Sequence, residues 1–409
     1  MASLLLVHVR GEDRKGLLTT MTGLLSSHGA EVLDMAQSLI HNSLNMSLVI
    51  KFKNEDDVPG NAIKDLAFQT HELGLTVKFK PLDKEEYHRW VEEHTQDRYV
   101  ITLLGRQLMA EQVSLVTSTL LAQGLNIETI RRLSHPRRLD SQDDHERTCL
   151  EMGVRGRPEN SAQLKKRFLE LSSKNGVDVA IQLDDIYRRN RRLVVFDMDS
   201  TLLRIEVIDE LARKMGVVDQ VSTITEAAMN GEIDFDESFR RRVRLLKGMK
   251  REVINEIIAN MPLNEGAERL IRSLKSVGYK VAILSGGFKY FVEALQKSLG
   301  VDYGYANELE FIDDVATGEV LGEIINGEKK RLYMKKIADQ EGIDLKQVIA
   351  VGDGANDLPM LSEAGLGVAF RAKPLVKASA DQHLSEMGLD GLLYLLGFND
   401  AEFSRALRG

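Results

Sequence analysis

From Leu193 to Leu202 the chain reads Leu-Val-Val-Phe-Asp-Met-Asp-Ser-Thr-Leu, four apolar residues followed by two carboxylates one residue apart. A short Val-rich run of this kind predicts a buried strand of a parallel sheet, covered on both faces. Side chains at i and i+2 of a strand point the same way. Asp197 and Asp199 are therefore expected to reach one point beyond the strand's carboxyl end, the usual ligand position in open α/β sheets. Two carboxylates aimed at one small volume repel each other unless a cation or a shared proton intervenes. Taken alone, the pair reads equally well as an acidic turn, and matching pieces downstream decide the matter. Lys280–Leu284 is a second apolar strand and ends in Ser285-Gly286-Gly287. Val348–Val351 is a third, ending in Gly352-Asp353-Gly354-Ala355-Asn356-Asp357. Between them lies Lys330, in a basic stretch that opens a helix.

Three strands thus bring Asp197, Asp199, Ser285, the Gly286 N–H, Asp353 and Asp357 to one sheet edge, with Asn356 beside them. Four converging carboxylates would be prohibitive without a hard cation, and oxygen-only ligands suit Mg²⁺ rather than zinc. No His or Cys joins the cluster, which removes the zinc-hydrolase option. Lys330 supplies a point charge for an anion, and Ser285 and backbone N–H groups supply donors. Mg²⁺, lysine, serine and N–H donors together are what phosphoryl transfer requires, since stabilising spread negative charge is most of that catalysis. Singly, Ser285-Gly286-Gly287 could be a plain turn and Lys330 a surface residue. Their occurrence together, in order and each at a strand end, is hard to explain that way.

The elements that must position these residues form an α/β body. From residue 190 onward strands and helices alternate, which predicts a doubly wound, Rossmann-like parallel sheet. An insertion at about 204–260 has little strand character. Its helical stretches, Val207–Met215, Val221–Met229, Phe235–Leu246 and Glu252–Asn260, read as a cap over the mouth of the sheet. Ahead of the body, residues 4–9 read as a strand, Gly11–Gly16 as a loop, and Leu17, Met21, Leu24 and Leu25 recur at helical spacing. Strands near 31–41 and 44–52, a helix near 60–73 and a strand at 75–79 complete a βαββαβ order. The same order returns between 99 and 183, an internal repeat that points to duplication. Domains are expected at 1–80, 98–184 and 185–409. A charged helical linker over 81–97 carries the one tryptophan, Trp90. The string Arg188, Arg189, Arg191 and Arg192 reads as a second, solvated linker.

At 409 residues the chain is too long for one hydrophobic core. Its hydrophobic and charged fractions, 43% and 28%, are those of an ordinary globular protein. A net charge of −8 argues against nucleic acid as the main partner, which needs a basic surface. The one cysteine, Cys149, cannot form an internal disulfide, which fits a reducing compartment. The apolar run Leu4–Val7 is too short for the core of a signal peptide, and no segment approaches a membrane span. A cytoplasmic location is expected.

Asp197-x-Asp199-x-Thr201, Ser285, Lys330 and Gly352-Asp353-Gly354-x-Asn356-Asp357 resemble the four motifs of the haloacid dehalogenase superfamily of phosphatases. With Glu206 and the Ser285-Gly286-Gly287-Phe288 turn, residues 190–398 look like the branch acting on O-phospho-L-serine. The two repeated units resemble ACT domains, ferredoxin-like modules that bind amino acids, and tandem ACT units ahead of this body are similar to a long bacterial form. The first unit carries the ACT pattern Gly11-x-Asp13-x-x-Gly16-Leu17. Its glycines would let N–H groups approach a ligand, and a helix N-terminus favours a carboxylate there. The second unit departs from the pattern, with Gly105-Arg106-Gln107-Leu108 in place of that loop.

The resemblance implies a role for each residue. Asp197 would be the nucleophile and Asp199 the general acid and base. Mg²⁺ would be held by Asp197, the carbonyl of Asp199 and Asp353, with Asp357 supporting its water shell. Ser285, Gly286 and Lys330 would hold phosphoryl oxygens. In the cap, Glu206 would meet the substrate ammonium and Arg242 its carboxylate, with Met229 and Phe235 on its carbon chain. From the residues alone, Arg240, Arg241, Arg242 and Arg244 are not distinguishable. The expected partners are O-phospho-L-serine, an amino-acid effector such as serine at Gly11, Asp13 and Gly16, and a second copy of the chain. Alternatives are another small phosphomonoester, transfer to an acceptor alcohol, or a catalytically inert amino-acid sensor.

Overall fold

The structure, a computed structural model, describes residues 3–52, 59–136 and 147–402. The chain divides into two compact units between Gln96 and Asp97.

In the first unit the order is β1 (Ser3–Glu12), α1 (Leu17–Ser27), β2 (Glu31–Ile40), β3 (Ser43–Phe52), α2 (Pro59–Glu72), β4 (Thr76–Leu82) and α3 (Lys84–Glu93). The strands form an antiparallel sheet in the order β2-β3-β1-β4. In β3, Leu44, Met46, Leu48, Ile50 and Phe52 alternate inward, and they pack on Leu17, Met21 and Leu25 of α1 and on Ala62 and Leu66 of α2. That is the two-residue period of a sheet meeting the helical period of its cover. The turn at Gly11–Gly16 is less of a ligand loop than its pattern suggests. β1 runs on through Glu12, and a Cβ at Gly11 would sit 2.5 Å from the Leu75 side chain. Gly11 is therefore explained by packing rather than by access for a ligand. Gly16, with φ +87°, opens α1, and nothing lies within 4 Å of its bare face. The Asp13 N–H is taken by the Asn42 carbonyl at 2.9 Å.

The second unit begins with the repeat: β5 (Arg98–Gly105), α4 (Ala110–Leu121), β6 (Asn126–Arg132), β7 (Thr148–Arg155), α5 (Ser161–Asn175) and β8 (Asp178–Leu183). Its sheet, β6-β7-β5-β8, repeats the strand order of the first unit. The body follows with β9 (Leu193–Phe196) and the cap helices α6 (Val207–Met215), α7 (Val218–Met229), α8 (Phe235–Arg244) and α9 (Arg251–Ala259). Then come α10 (Ala267–Ser276), β10 (Lys280–Phe288), α11 (Lys289–Leu299), β11 (Tyr303–Ile312), β12 (Val315–Leu321), α12 (Gly327–Glu341) and β13 (Val348–Gly352). The chain ends through α13 (Leu358–Glu363), β14 (Leu366–Phe370), α14 (Pro374–Ser379), β15 (Gln382–Leu384) and α15 (Leu392–Leu395).

Seven strands make one sheet, β12-β11-β10-β9-β13-β14-β15. All neighbours are parallel except β11 and β12. β9 lies between β10 and β13, where strand order reverses and ligands of open sheets bind. The antiparallel β11–β12 hairpin is absent from the expected strand–helix alternation. It serves the cap, because the Ala316 N–H donates to the Met249 carbonyl, the Ala316 carbonyl accepts the Gly248 N–H, and Lys250 bridges Val315.

The repeat and the body share one core: Leu104, Leu133, Cys149 and Ala180 pack in the same cluster as Phe196, Leu270 and Leu392. Polar ties reinforce it. The Ile181 main chain pairs with both ends of the Gln382 amide, and the buried Asp178 carboxylate accepts the N–H groups of Ser385, Glu386 and Met387. Burial pushes the Asp178 carboxyl up to about 6, against the pull of those three donors. Asp178→Ala leaves the donors without an acceptor and is expected to destabilise the second unit by about 2–3 kcal/mol. A drop of several degrees in its melting temperature checks this.

The arginine string before β9 is not a solvated linker. Arg188 and Arg191 are buried, Arg188 paired with the equally buried Glu151 at 2.6 Å and Arg191 bonded to the Lys346 carbonyl. The segment joins two strands that share one core, and of the four arginines only Arg189 and Arg192 reach solvent. Among the described residues no helix is long and apolar enough to cross a membrane.

Candidate active site

Asp197 follows β9 and its N–H still bonds the Val351 carbonyl, 2.9 Å away, so the ladder carries it to the sheet edge. The strand does not continue to Asp199. A wide turn over Met198–Leu202 intervenes, with Ser200 in the left-handed region at φ 56°. This corrects the expectation that Asp197 and Asp199 share one direction as strand neighbours. The turn separates them. Asp197, Asp353 and Asp357 present carboxylate oxygens within 4.8 Å of one another. Asp199 instead accepts the Val207 N–H at 2.9 Å and the Ser285 hydroxyl at 3.3 Å. The arrangement is three carboxylates plus one, not four at a point.

Lys330 enters from the first turn of α12. It is wholly buried, and its Nζ lies 2.6 Å from Asp197 Oδ1 and 2.7 Å from Asp357 Oδ1. A surface role is thereby removed. The other Asp357 oxygen accepts the N–H groups of Asp353 and Gly354 at 3.1 and 3.0 Å. Gly352 makes this possible, because a Cβ there would lie 2.4 Å from that carboxylate. Gly287 plays the same part for Asp199, whose Oδ2 would be 2.6 Å from a Cβ. The Ser285 hydroxyl is fixed by the Gly287 N–H at 2.8 Å.

Burial and the Asp357 charge hold the Asp197 carboxyl well above its ordinary range, with Lys330 opposing. Burial, then Asp357 and Glu206, push Asp353 up to about 7. Burial and Glu206 likewise push Asp199 up to about 7, against the Val207 N–H. Lys330 is held protonated: burial works against its charge, and the Asp197 and Asp357 carboxylates outweigh it. Three crowded carboxylates of this kind gain from a cation, and an all-oxygen donor set fits a hard divalent one.

The cap faces this edge. Glu206 precedes α6 and accepts the Ser200 hydroxyl at 2.6 Å. Of the four arginines near the end of α8, Arg240, Arg241 and Arg244 are exposed, while Arg242 is drawn inward. Burial lowers the Arg242 pKa, offset by the charges of Asp209, Glu206 and Asp199. Phe235 lies over Gly286, its ring 3.0 Å from where a Cβ would stand. Asn356 folds back over Gly354. The Met229 side chain lies outside the described ones.

Thr201, which belongs to the Asp197-x-Asp199-x-Thr201 motif, donates to Asp353 at 3.0 Å. Several other residues that build the site carry no signal in the sequence. Asn307, on β11, ties the Gly286 carbonyl to the Ile325 N–H, both at 2.8 Å. Asn326, which caps α12, bonds Asp236 of the cap at 3.1 Å. Buried Asn264 gathers three carbonyls of the Asp199 turn. Each matters through a partner 60 or more residues away or on another strand, which no local pattern reveals.

Residues 194–362 match the family described as haloacid dehalogenase-like hydrolase, and residues 3–80 and 98–182 each match an ACT domain family. The crystal structure of a HAD family hydrolase from Salmonella enterica serovar Typhi is similar, with a TM-score of 0.63 at 30% identity over 73% of this chain and 98% of that one. The chain carries the fold of a haloacid dehalogenase-like hydrolase with two ACT domains before it. The phosphoserine phosphatase SerB2 of Mycobacterium tuberculosis is 37% identical over 405 residues, covering 99% of this chain and 95% of its own. The phosphoserine phosphatase of Streptomyces coelicolor is 35% identical over 405 residues, covering 98% and 94%. The chain belongs to the phosphoserine phosphatase family.

Proposed function

We propose that this chain is an Mg²⁺-dependent phosphatase that hydrolyses O-phospho-L-serine to L-serine and phosphate, the last step of making serine, in the cytoplasm. The observation that carries the reading is the division of labour among its acids. Three carboxylates cluster together, two of them on one buried lysine, and a fourth carboxyl is held apart by a serine hydroxyl and a helix N–H.

In this reading an Asp197 oxygen attacks phosphorus, and the bond to the serine oxygen breaks. The departing alkoxide is a poor leaving group and takes a proton from Asp199. Water then attacks the phosphorus of the aspartyl-phosphate and gives its proton back to Asp199. Phosphate leaves and the Asp197 carboxylate is restored. Lys330, Ser285 and the Gly286 N–H hold the phosphoryl oxygens. Asp197, Asp353 and the carbonyl of Asp199 would hold Mg²⁺, with Asp357 supporting. Bound there, the ion would neutralise the carboxylates and the charge spreading over the phosphoryl group. In the cap, Arg242 pairs with the substrate carboxylate and Glu206 with its ammonium, while Phe235 covers its carbon chain.

The test is phosphate release with Mg²⁺ and with chelator, comparing kcat/KM for phosphoserine, phosphothreonine and sugar phosphates. Preference for phosphoserine is expected. A sugar phosphate preferred over it would overturn the substrate assignment. Asp199→Asn is expected to lower kcat on phosphoserine by about 10²–10⁴-fold. An aryl phosphate with an acidic phenol needs no protonation as it leaves, so the same variant should still release one equivalent of phenol in a fast burst. Steady turnover should stay slow, because Asp199 also takes the proton of the attacking water.

Serine is the proposed effector at the first ACT domain, near Asp13 and Gly16. Titration calorimetry of the full chain with L-serine checks this, and absence of heat counts against it. A homodimer is also proposed. Val32, Met35, Leu39 and Ile40 are exposed along the edge strand β2, and an apolar edge of that kind is a template for pairing.

A further inference from the structure

The cap leaves the body at Leu203–Arg204 and returns at Pro262–Asn264. The two passes are tied together: Leu203 bridges Leu263, the Arg204 N–H bonds the Pro262 carbonyl at 2.9 Å, and the Asn264 N–H bonds the Leu202 carbonyl at 2.8 Å. Asn264 completes the crossing. Its side chain is 5% exposed, and its Nδ2 lies 3.2, 2.8 and 3.0 Å from the carbonyls of Ser200, Thr201 and Leu203. These carbonyls belong to the turn that carries Asp199, and to Thr201, which holds Asp353.

The next residue, Glu265, is gripped by the second ACT domain. Arg106 Nη2 donates to both its carboxylate oxygens, at 2.6 and 2.5 Å. Arg371 approaches from the body, with Nη2 3.4 Å from Glu265 Oε2 and Nη1 3.5 Å from Asn264 Oδ1. The Glu265 carbonyl accepts the Leu389 N–H at 2.8 Å. Arg106 stands directly after β5, in the loop where the first ACT domain carries Gly11-x-Asp13-x-x-Gly16. A charge-assisted contact with both oxygens of one carboxylate fixes position more firmly than a neutral bond.

We infer that Arg106 is a positioning residue for the reaction: through Glu265 and Asn264, the loop of the second ACT domain sets the cap crossing and the turn bearing Asp199. The ligand loop of an amino-acid module has here become a mechanical support. This rests on the proposed role of Asp199: kcat/KM reports the steps up to departure of the leaving group, and there a displaced acid is felt only where a poor leaving group must be protonated.

The experiment compares wild type, Arg106→Ala, Arg106→Lys, Glu265→Ala and the double variant Arg106→Ala/Glu265→Ala, all in the full chain. Hydrogen exchange is followed at the Leu203, Arg204 and Asn264 amides, and kcat/KM is measured on phosphoserine and on an aryl phosphate. Arg106→Ala is expected to speed exchange at those amides and to lower kcat/KM on phosphoserine by about tenfold, the loss of one charge-assisted contact. The aryl phosphate should change less than about twofold on the same argument. Arg106→Lys should recover most of the loss, and the double variant should be no worse than Glu265→Ala. Wild-type exchange at the crossing, an equal loss on both substrates, or additive effects in the double variant would overturn the inference. Should the wild-type protein leave phosphoserine intact, the proposed function fails, and exchange at the crossing still decides whether Arg106 holds it.

Discussion

Asp197→Asn is expected to lower kcat on phosphoserine by about 10⁴-fold or more, as removal of a nucleophile does elsewhere. The amide has no anionic oxygen to capture phosphorus, so no covalent step can begin. The fold should not suffer. Burial and the neighbouring Asp357 already raise the free energy of the Asp197 anion. Asn keeps the shape and still offers an oxygen to Lys330 at the position now 2.6 Å away. In chelator the variant should therefore melt at or above the wild-type temperature. Phosphate release and calorimetric melting, measured on the same preparations, separate the two effects. A variant that is inactive because it is unfolded would contradict this account as surely as one that is fully active.

The second large effect belongs to Lys330→Met. The lysine is wholly buried and bonds Asp197 and Asp357 together. Removing its charge while keeping an unbranched side chain leaves two buried carboxylates facing each other. In chelator this should cost about 3–5 kcal/mol of stability. Activity should fall by about 10²–10³-fold, because a preorganised charge on the phosphoryl oxygens is gone. The cation response has the opposite sign. With Lys330 absent, the carboxylate cluster attracts a divalent ion more strongly, so Mg²⁺ should raise the melting temperature of the variant more than that of wild type. Melting curves with and without Mg²⁺ check this, and equal shifts would show that Lys330 and the ion do not share the same acids.

Much of this was legible in the sequence because the chemistry sits where secondary structure ends. The Val-rich run before Asp197, the Ser285-Gly286-Gly287 end of β10 and the Gly352–Asp357 string each announce a strand and deliver its polar tip. The βαββαβ repeat was legible for the same reason, since alternation in β3 and helical spacing in α1 are local patterns. What local pattern could not show was direction. Asp197 and Asp199 were expected to point together, and the break from strand into turn at Met198, between them, turns them apart. Nor could it show depth: Arg188 and Arg191 look like solvent residues until Glu151 and the Lys346 carbonyl are brought beside them. The β11–β12 hairpin breaks the strand–helix alternation, a pattern with no place for an antiparallel pair. Asn264 and Arg106 were invisible because their partners lie across a cap and a domain.

The most direct measurement is to quench turnover of ³²P-labelled phosphoserine in acid, reduce any acyl phosphate with borohydride, and sequence the modified peptide by mass spectrometry. The account predicts labelled protein during turnover and conversion of residue 197, and no other, to homoserine. Rapid hydrolysis with no phosphate on the protein, or modification at Asp199 or Asp353 in place of Asp197, would contradict it.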